Sequence, residues 1–440
     1  MEDQILSQLN NLSSGVDKIT GKFGLTHNPF PKSGIASVSD KSKAVGQLIP
    51  TKKETLDKIL DYIKDALKKR DEDNYLSLVV RGDYGTGKTQ TLMYIRYLLS
   101  NLNNEGFKPY VVYVDDPGLS LSELFGGIIA QVGVENFRRY LWNRFMSYLD
   151  DNNINILKEI PQAQVVPSLF SDTDDSRLTD RFLSYKELFD TCVAGRSNNE
   201  KKEITAILKG HIMYCFSTIF NSAAVAGYFY DVVCETVGIS KSWDSLTSGS
   251  VKELDKREVY ILKAIVNTVK DQENITDFVI LVDEFEEITS GRLKKSEIDN
   301  YLRNLRTLID RDKNWCSVFA MTGKALDRIN EFSPPLASRI TDRIINLTPL
   351  DFTTCRELII RYLSIARSES ECIEDELYPF TNESIQKLLS VKPAYANLQG
   401  SPRFILKNCF LLLERAVEEL EKGDFIDSEF VAKFIGEYLK

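Results

Sequence analysis

Apolar positions along the chain recur with two different periods. Ile5, Leu6, Leu9, Leu12, Val16 and Ile19 are spaced by three and four residues, which predicts an amphipathic helix over residues 2–20. The turn-rich Asn28-Pro29-Phe30-Pro31 follows, and then a polar linker towards residue 45. Over residues 51–69 the helical period returns. Leu56, Ile59, Leu60, Ile63 and Leu67 share a face there, and Thr51 with Glu54 has capping-box spacing. Short, nearly unbroken apolar runs then occur at residues 76–80, 110–114, 278–282, 317–321 and 343–347. Strands covered by helices on both faces have this character. Helical patterns at 90–101 and 294–310 separate them, so the sequence predicts an α/β domain around a mostly parallel five-stranded sheet.

The spacing of the strands is uneven. Residues 117–276 far exceed any crossover connection, and they carry helical patterns at 121–148, 180–192, 203–237 and 251–270, with an acidic, polar loop at 171–180. This predicts a helical insertion of domain size. After residue 350 the pattern is helical throughout, near 353–367, 382–390, 402–421 and 427–439, as in a small all-helical C-terminal domain. The domain scheme is therefore 1–45 as helix and linker, 46–350 as the α/β domain interrupted by the insertion, and 351–440 as a helical lid. Residues 212–230 hold no charge and approach the length of a membrane span. Ser217, Thr218, Asn221, Ser222 and Gly227 interrupt that stretch, which favours a buried helix over a membrane contact.

Composition narrows the class further. With 43% hydrophobic and 27% charged residues, the 440-residue chain matches neither collagen-like, disulfide-rich nor wholly disordered proteins. A formal charge of -9 argues against nucleic-acid binding over the whole surface, leaving room only for a local basic patch. The seven cysteines include no C-x-x-C pair, and His27 and His211 are the two histidines. Zinc binding and Cys/His catalysis are thereby disfavoured, and a reducing cytoplasm is the expected compartment. The acidic start Met1-Glu2-Asp3-Gln4 has no apolar signal core.

Two motifs carry chemistry. Gly82-Asp83-Tyr84-Gly85-Thr86-Gly87-Lys88-Thr89 is a complete G-x-x-x-x-G-K-[ST] phosphate loop between a predicted strand and a predicted helix. Glycines let successive N–H groups turn inward towards a phosphate, and the helix N-terminus beginning near Gln90 adds its positive dipole end. Lys88 is expected to neutralise β- and γ-phosphate oxygens and Thr89 to ligate Mg²⁺. The second motif is the apolar run 278–282 ending in Asp283-Glu284. At the C-terminal edge of a parallel sheet these acids would lie beside the phosphate loop, Asp283 towards the metal and Glu284 towards the attacking water. The plainer alternative is an acidic turn, since Glu286 and Glu287 continue the charge run.

A phosphate loop, a strand ending in Asp-Glu, a further strand with a polar end and a helical C-terminal domain together resemble an AAA+ ATPase. The resemblance covers roughly 25–116 and 277–440, leaving the insertion outside it, and runs to two groups: replication-initiator and origin-recognition proteins, and transposition and general-secretion ATPases. Asn28-Pro29-Phe30 and Val318-Phe319-Ala320-Met321-Thr322-Gly323 followed by Leu326 resemble the second group. The resemblance implies ATP and Mg²⁺ as ligands. It also implies a sensor role for Thr322, where the family often has asparagine, and a trans-acting arginine at Arg339 within Pro335-Leu336-Ala337-Ser338-Arg339, with Arg343 as the competing candidate. Gly400-Ser401-Pro402-Arg403 resembles a second sensor whose arginine, Arg403, faces the γ-phosphate. Phe30, Leu48, Ile49 and Pro50 would flank the base.

The implied activity is an ATP-hydrolysing switch that assembles with itself in its ATP state and acts on DNA or a DNA-bound partner, in replication, transposition or mobile-element and defence systems. The lid carries more acids than bases, which makes it a poor phosphate-backbone binder and directs attention to the 117–276 insertion, where Lys201, Lys202 and Lys209 lie. A signalling or scaffold NTPase that recruits a protein partner through that insertion is the alternative. A membrane-associated secretion-type ATPase depends on the 212–230 stretch.

Overall fold

The computed structural model describes residues 19, 21–33, 52–68, 75–102, 106–160, 182–234, 251–311, 313–367, 375–391 and 398–438. Most of the helix expected over residues 2–20, the loop expected at 171–180, and Leu48, Ile49 and Pro50 lie outside the described residues.

In chain order the α/β part begins with α1 (Lys53–Lys68), β1 (Leu76–Arg81), α2 (Lys88–Ser100) and β2 (Pro109–Val114). The insertion supplies α3 (Leu121–Val132), α4 (Val134–Asp151), α5 (Tyr185–Val193), α6 (Asn198–Phe220), α7 (Ala223–Cys234) and α8 (Val251–Glu273). The sheet resumes with β3 (Asp277–Val282), a 3-10 turn (Phe285–Thr289), α9 (Lys295–Arg311), β4 (Trp315–Met321), α10 (Gly323–Phe332), α11 (Pro334–Ile340) and β5 (Ile344–Asn346). The lid holds α12 (Phe352–Ala366), α13 (Asn382–Ser390), α14 (Pro402–Glu419) and α15 (Ser428–Tyr438).

The five strands form one sheet in the order β2-β3-β4-β1-β5, every neighbour parallel. The fold class is the expected one: an α/β core with a five-stranded parallel sheet, a helical insertion and an all-helical C-terminal part. Side chains alternate across the strands as pleating requires. Leu78, Val80, Val279, Leu281 and Val318 pack under α1 and α2, whereas Val79, Val112, Phe278, Ile280 and Phe319 face the helices of the insertion and α9–α11. The insertion does not close a core of its own. One continuous apolar cluster runs from the sheet through Phe125, Phe137, Trp142, Phe216 and Phe229.

Several helix limits differ from the sequence reading. The pattern at 121–148 is two helices divided at Gly133, whose φ of 90° ends one and precedes the other. The pattern at 203–237 breaks at Asn221 (φ 53°), so the uncharged stretch 212–230 belongs to two packed helices. Phe216, Phe220, Val225 and Phe229 within it are buried protein core. Among the described residues no helix is long and apolar enough to cross a membrane. In α1 the buried face is Ile59, Tyr62, Ile63 and Ala66, while Leu60 points outward. Tyr62 takes the inward place because its hydroxyl reaches the Ser317 carbonyl at 3.3 Å.

The lid core contains a second segment of chain. Ile19, Phe23, Leu25 and Phe30 are buried with Leu358, Ile359, Leu363, Ile405, Leu412 and Leu413. Lys22 Nζ donates to the Val417 and Leu420 carbonyls at the end of α14, and Thr26 N–H donates to the Ala366 carbonyl at 2.7 Å. Asn28, which the sequence marks as a turn residue, donates to the Phe410 carbonyl and to Glu414. Phe30 stacks on Tyr362 and meets Phe380 edge-on, which corrects its expected place beside a nucleotide base.

Candidate functional site

The phosphate loop leaves β1 at the C-terminal edge of the sheet and is anchored by backbone on both sides. Gly82 N–H donates to the Met321 carbonyl, and Leu347 N–H donates to the Arg81 carbonyl. A β-carbon on Gly82 would collide with Thr86 Oγ1 and lie 2.9 Å from Leu347 Cβ, so no larger residue fits. The buried Thr86 fastens the bend by donating its hydroxyl (2.7 Å) and its N–H (3.2 Å) to the Asp83 carbonyl. Gly85 (φ 79°) and Gly87 (φ 99°) occupy the left-handed region that glycine alone enters cheaply. Gly87 caps α2 without any side-chain hydrogen bond from the cap position to the first-turn amides. Such a helix N-terminus favours an anion.

Across β4 from this loop, β3 ends at Asp283, which is almost fully buried. Its Oδ2 accepts from the Thr89 hydroxyl at 2.6 Å and from the Tyr113 hydroxyl at 2.9 Å, while Oδ1 accepts from Glu284 N–H at 3.0 Å. The two motifs, nearly two hundred residues apart in sequence, therefore meet directly. Tyr113 was not legible as a site residue, because a tyrosine in an apolar strand reads as core. Burial raises its hydroxyl well above the usual tyrosine range, with the Asp283 charge acting in the same direction, so it remains a donor.

Glu284 sits in left-handed backbone (φ 49°) at the start of the 3-10 turn. Burial raises its carboxyl above the ordinary glutamate value, Glu286, Asp283 and Glu287 add to the shift, and Lys88 opposes them. Lys88 itself is buried. Its Nζ lies 3.3 Å from Glu286 Oε1 and 5.2 Å from the centre of the Tyr84 ring. Glu286 is only 6% exposed, so the acid that continues the charge run after Asp283-Glu284 is buried and paired with Lys88.

The other candidate residues fall into three places. Thr322 ends β4 and is buried, where its hydroxyl accepts from Ala325 N–H and caps α10. Arg403 stands at the start of the lid helix α14. Its N–H donates to the Gly85 carbonyl at 3.2 Å, and a β-carbon on Gly85 would approach Arg403 Cβ to 2.9 Å, so lid and phosphate loop touch without a gap. Pro402 opens that helix where the sequence predicts its start, and Ser401 caps it. Arg339 lies elsewhere. Ser77, near the beginning of β1, donates to the Arg339 carbonyl, and the guanidinium is held by Asp310 and the Pro335 carbonyl. From Ser77 to Arg81 the strand runs roughly 13 Å, which places Arg339 towards the opposite edge from its own phosphate loop. Arg343 pairs with Asp65 of α1 at 2.6 Å.

The donor set suits a hard divalent cation: a hydroxyl and a carboxylate joined by a short hydrogen bond. Among the described residues there is no group of three acids, histidines or cysteines that would hold a metal without help. Mg²⁺ is held in just this sparse way, by one or two protein oxygens together with substrate phosphates.

No family model and no curated protein matches the chain. Among solved structures it is similar to the Aeropyrum pernix ORC2 protein, described in ADPNP-ADP complexes. The two share 13% identity with a TM-score of 0.44, over 87% of this chain and 67% of that one.

Proposed function

We propose that the chain is an ATP-binding and ATP-hydrolysing switch of the AAA+ type. The observation that carries this reading is the 2.6 Å hydrogen bond from Thr89 to Asp283, which ties the phosphate loop to the acid at the end of β3. In this reading the loop amides and the amides opening α2 bind the phosphates, and Lys88 neutralises them. Bound Mg²⁺ would supply charge neutralisation across the β- and γ-phosphates, with Thr89 and Asp283 as its protein ligands. Glu284 accepts the proton of the attacking water. Its raised basicity and partly buried position suit that role better than those of a solvated glutamate would. Thr322 and Arg403 border the same space, and Arg403 pairs with no acid among the described residues.

Arg339 completes a second copy's site rather than its own, so the active form is a homo-oligomer assembled in the ATP state. DNA or a DNA-bound protein is the proposed object of the switch, in the cytoplasm. Isothermal calorimetry with Mg²⁺-ATP tests the core of the reading. The wild-type chain should bind and turn over ATP, and Lys88→Ala should lose binding by roughly a hundredfold or more, the scale of a lost charge-assisted contact. Absence of heat with the wild-type chain would remove the proposal. DNA association is tested separately by titration at low and moderate salt with and without nucleotide.

The alternative, a scaffold that recruits protein through the insertion, is favoured by one observation: Leu183 and Tyr214 of the insertion are 75% and 65% exposed although both are large and apolar.

A further inference from the structure

Lys88 is the cation a nucleotide phosphate needs, and in this structure it is already engaged. Its partner Glu286 lies three residues beyond Asp283 in the 3-10 turn, and both side chains are almost completely buried. Among the described residues neither carboxylate oxygen of Glu286 accepts a hydrogen bond, so the charge of Lys88 is what compensates it. The neighbourhood is otherwise acidic, with Asp283, Glu284 and Glu287 in the same short segment.

We infer that Glu286 is an affinity-setting residue of the nucleotide site, an internal competitor whose carboxylate contends with incoming phosphate for Lys88. The inference rests on the nucleotide-binding reading above and deepens it. When Lys88 turns to phosphate, Glu286 remains buried beside new negative charge with its counter-charge withdrawn, a condition costlier than the pair it left. Relief comes from movement of the turn Phe285–Thr289. That turn packs against α10, and Arg328 of α10 donates to the Thr289 carbonyl. Glu286 thereby links phosphate arrival to the helix that Thr322 caps.

The direction of the effect is unambiguous. Replacing Glu286 by glutamine frees Lys88 before binding and removes a buried negative charge after it. Both changes favour the bound state.

The test is the affinity of the full chain for AMP-PNP with Mg²⁺, measured by calorimetry. Glu286→Gln should bind about tenfold more tightly than wild type, the factor that corresponds to ~1.4 kcal/mol. Glu286→Asp, which withdraws the carboxylate by one methylene, should gain less. Glu287→Gln should gain clearly less than Glu286→Gln, because Glu287 pairs with Arg292 at 3.0 Å rather than with Lys88. Equal or weaker binding by a folded Glu286→Gln overturns the inference. Should that variant not fold, the wild-type chain decides by hydrogen exchange. AMP-PNP must alter the exchange of amides 286–290, and unaltered exchange overturns the inference. Failure of wild type to bind AMP-PNP overturns the nucleotide reading together with this one, whereas wild-type binding with an unaffected Glu286→Gln overturns this one alone.

Discussion

Asp283 gathers two hydroxyl donors on one oxygen, and the two are not equivalent. Thr89 comes from the phosphate loop and would share its oxygen with a metal, whereas Tyr113 comes from the neighbouring strand and only orients the carboxylate. Tyr113→Phe removes that orienting bond with little change in volume. The expected outcome is about a tenfold higher Mg²⁺ requirement for tight nucleotide binding, the scale of a lost partner behind a metal ligand, measured as nucleotide affinity against Mg²⁺ concentration. Glu284→Gln makes the complementary change. It should retain nucleotide affinity and lower steady-state turnover by roughly a hundredfold to ten-thousandfold, the contribution of a positioned general base. Measured phosphate release that is unchanged in Glu284→Gln would reassign the base.

Among the elements, the strands were the most legible. Their unbroken apolar runs reflect burial on both faces, and the alternation of side chains between two separate clusters bears that out. Helix ends were less legible, because a single left-handed residue such as Asn221 divides a pattern that periodicity alone treats as continuous. The two motifs that meet through Thr89 and Asp283 were legible from local spacing. Tyr113 and Glu286 were not, since their roles come from pairings across 170 and 198 residues of sequence that no local pattern records. The junction between sheet and lid offers a test at this scale. Asp351 caps α12, accepting from Thr354 N–H at 2.9 Å, and these bonds hold its carboxyl below the usual aspartate value. Because the folded-state value is depressed, the cap's contribution is complete above the unfolded value near 3.8 and fades as pH falls through the folded one. Asp351→Ala should cost about 1 kcal/mol at neutral pH, read as a lower melting temperature, and the difference from wild type should shrink in acid.

For the whole molecule, the decisive geometry is the separation of Arg339 from its own phosphate loop. An arginine on the far edge of the sheet is available to a neighbouring copy, provided that it exchanges Asp310 for phosphate. The expected outcome is that Arg339→Ala alone loses most ATPase activity, and that mixing it with Glu284→Gln restores a fraction, because one of the mixed interfaces combines an intact acid with an intact arginine. Light scattering with and without ATP analogue should show a larger particle with it. If Arg339→Ala is inactive and mixing restores nothing, the trans role fails; if Arg339→Ala keeps its activity, Arg343 becomes the residue to substitute, beginning with its pair to Asp65.

The segment around residues 19–33 has a practical consequence for anyone shortening this protein. Phe23, Leu25 and Phe30 are sealed inside the C-terminal bundle, and at ~1.5–3 kcal/mol for each buried side chain their removal would forfeit a sum comparable with the stability of a small domain. A version trimmed to begin at the first strand would carry its bundle with an open greasy seam. It would be expected to clump before it could be assayed, and a negative result from such a fragment would say nothing about the full-length chain.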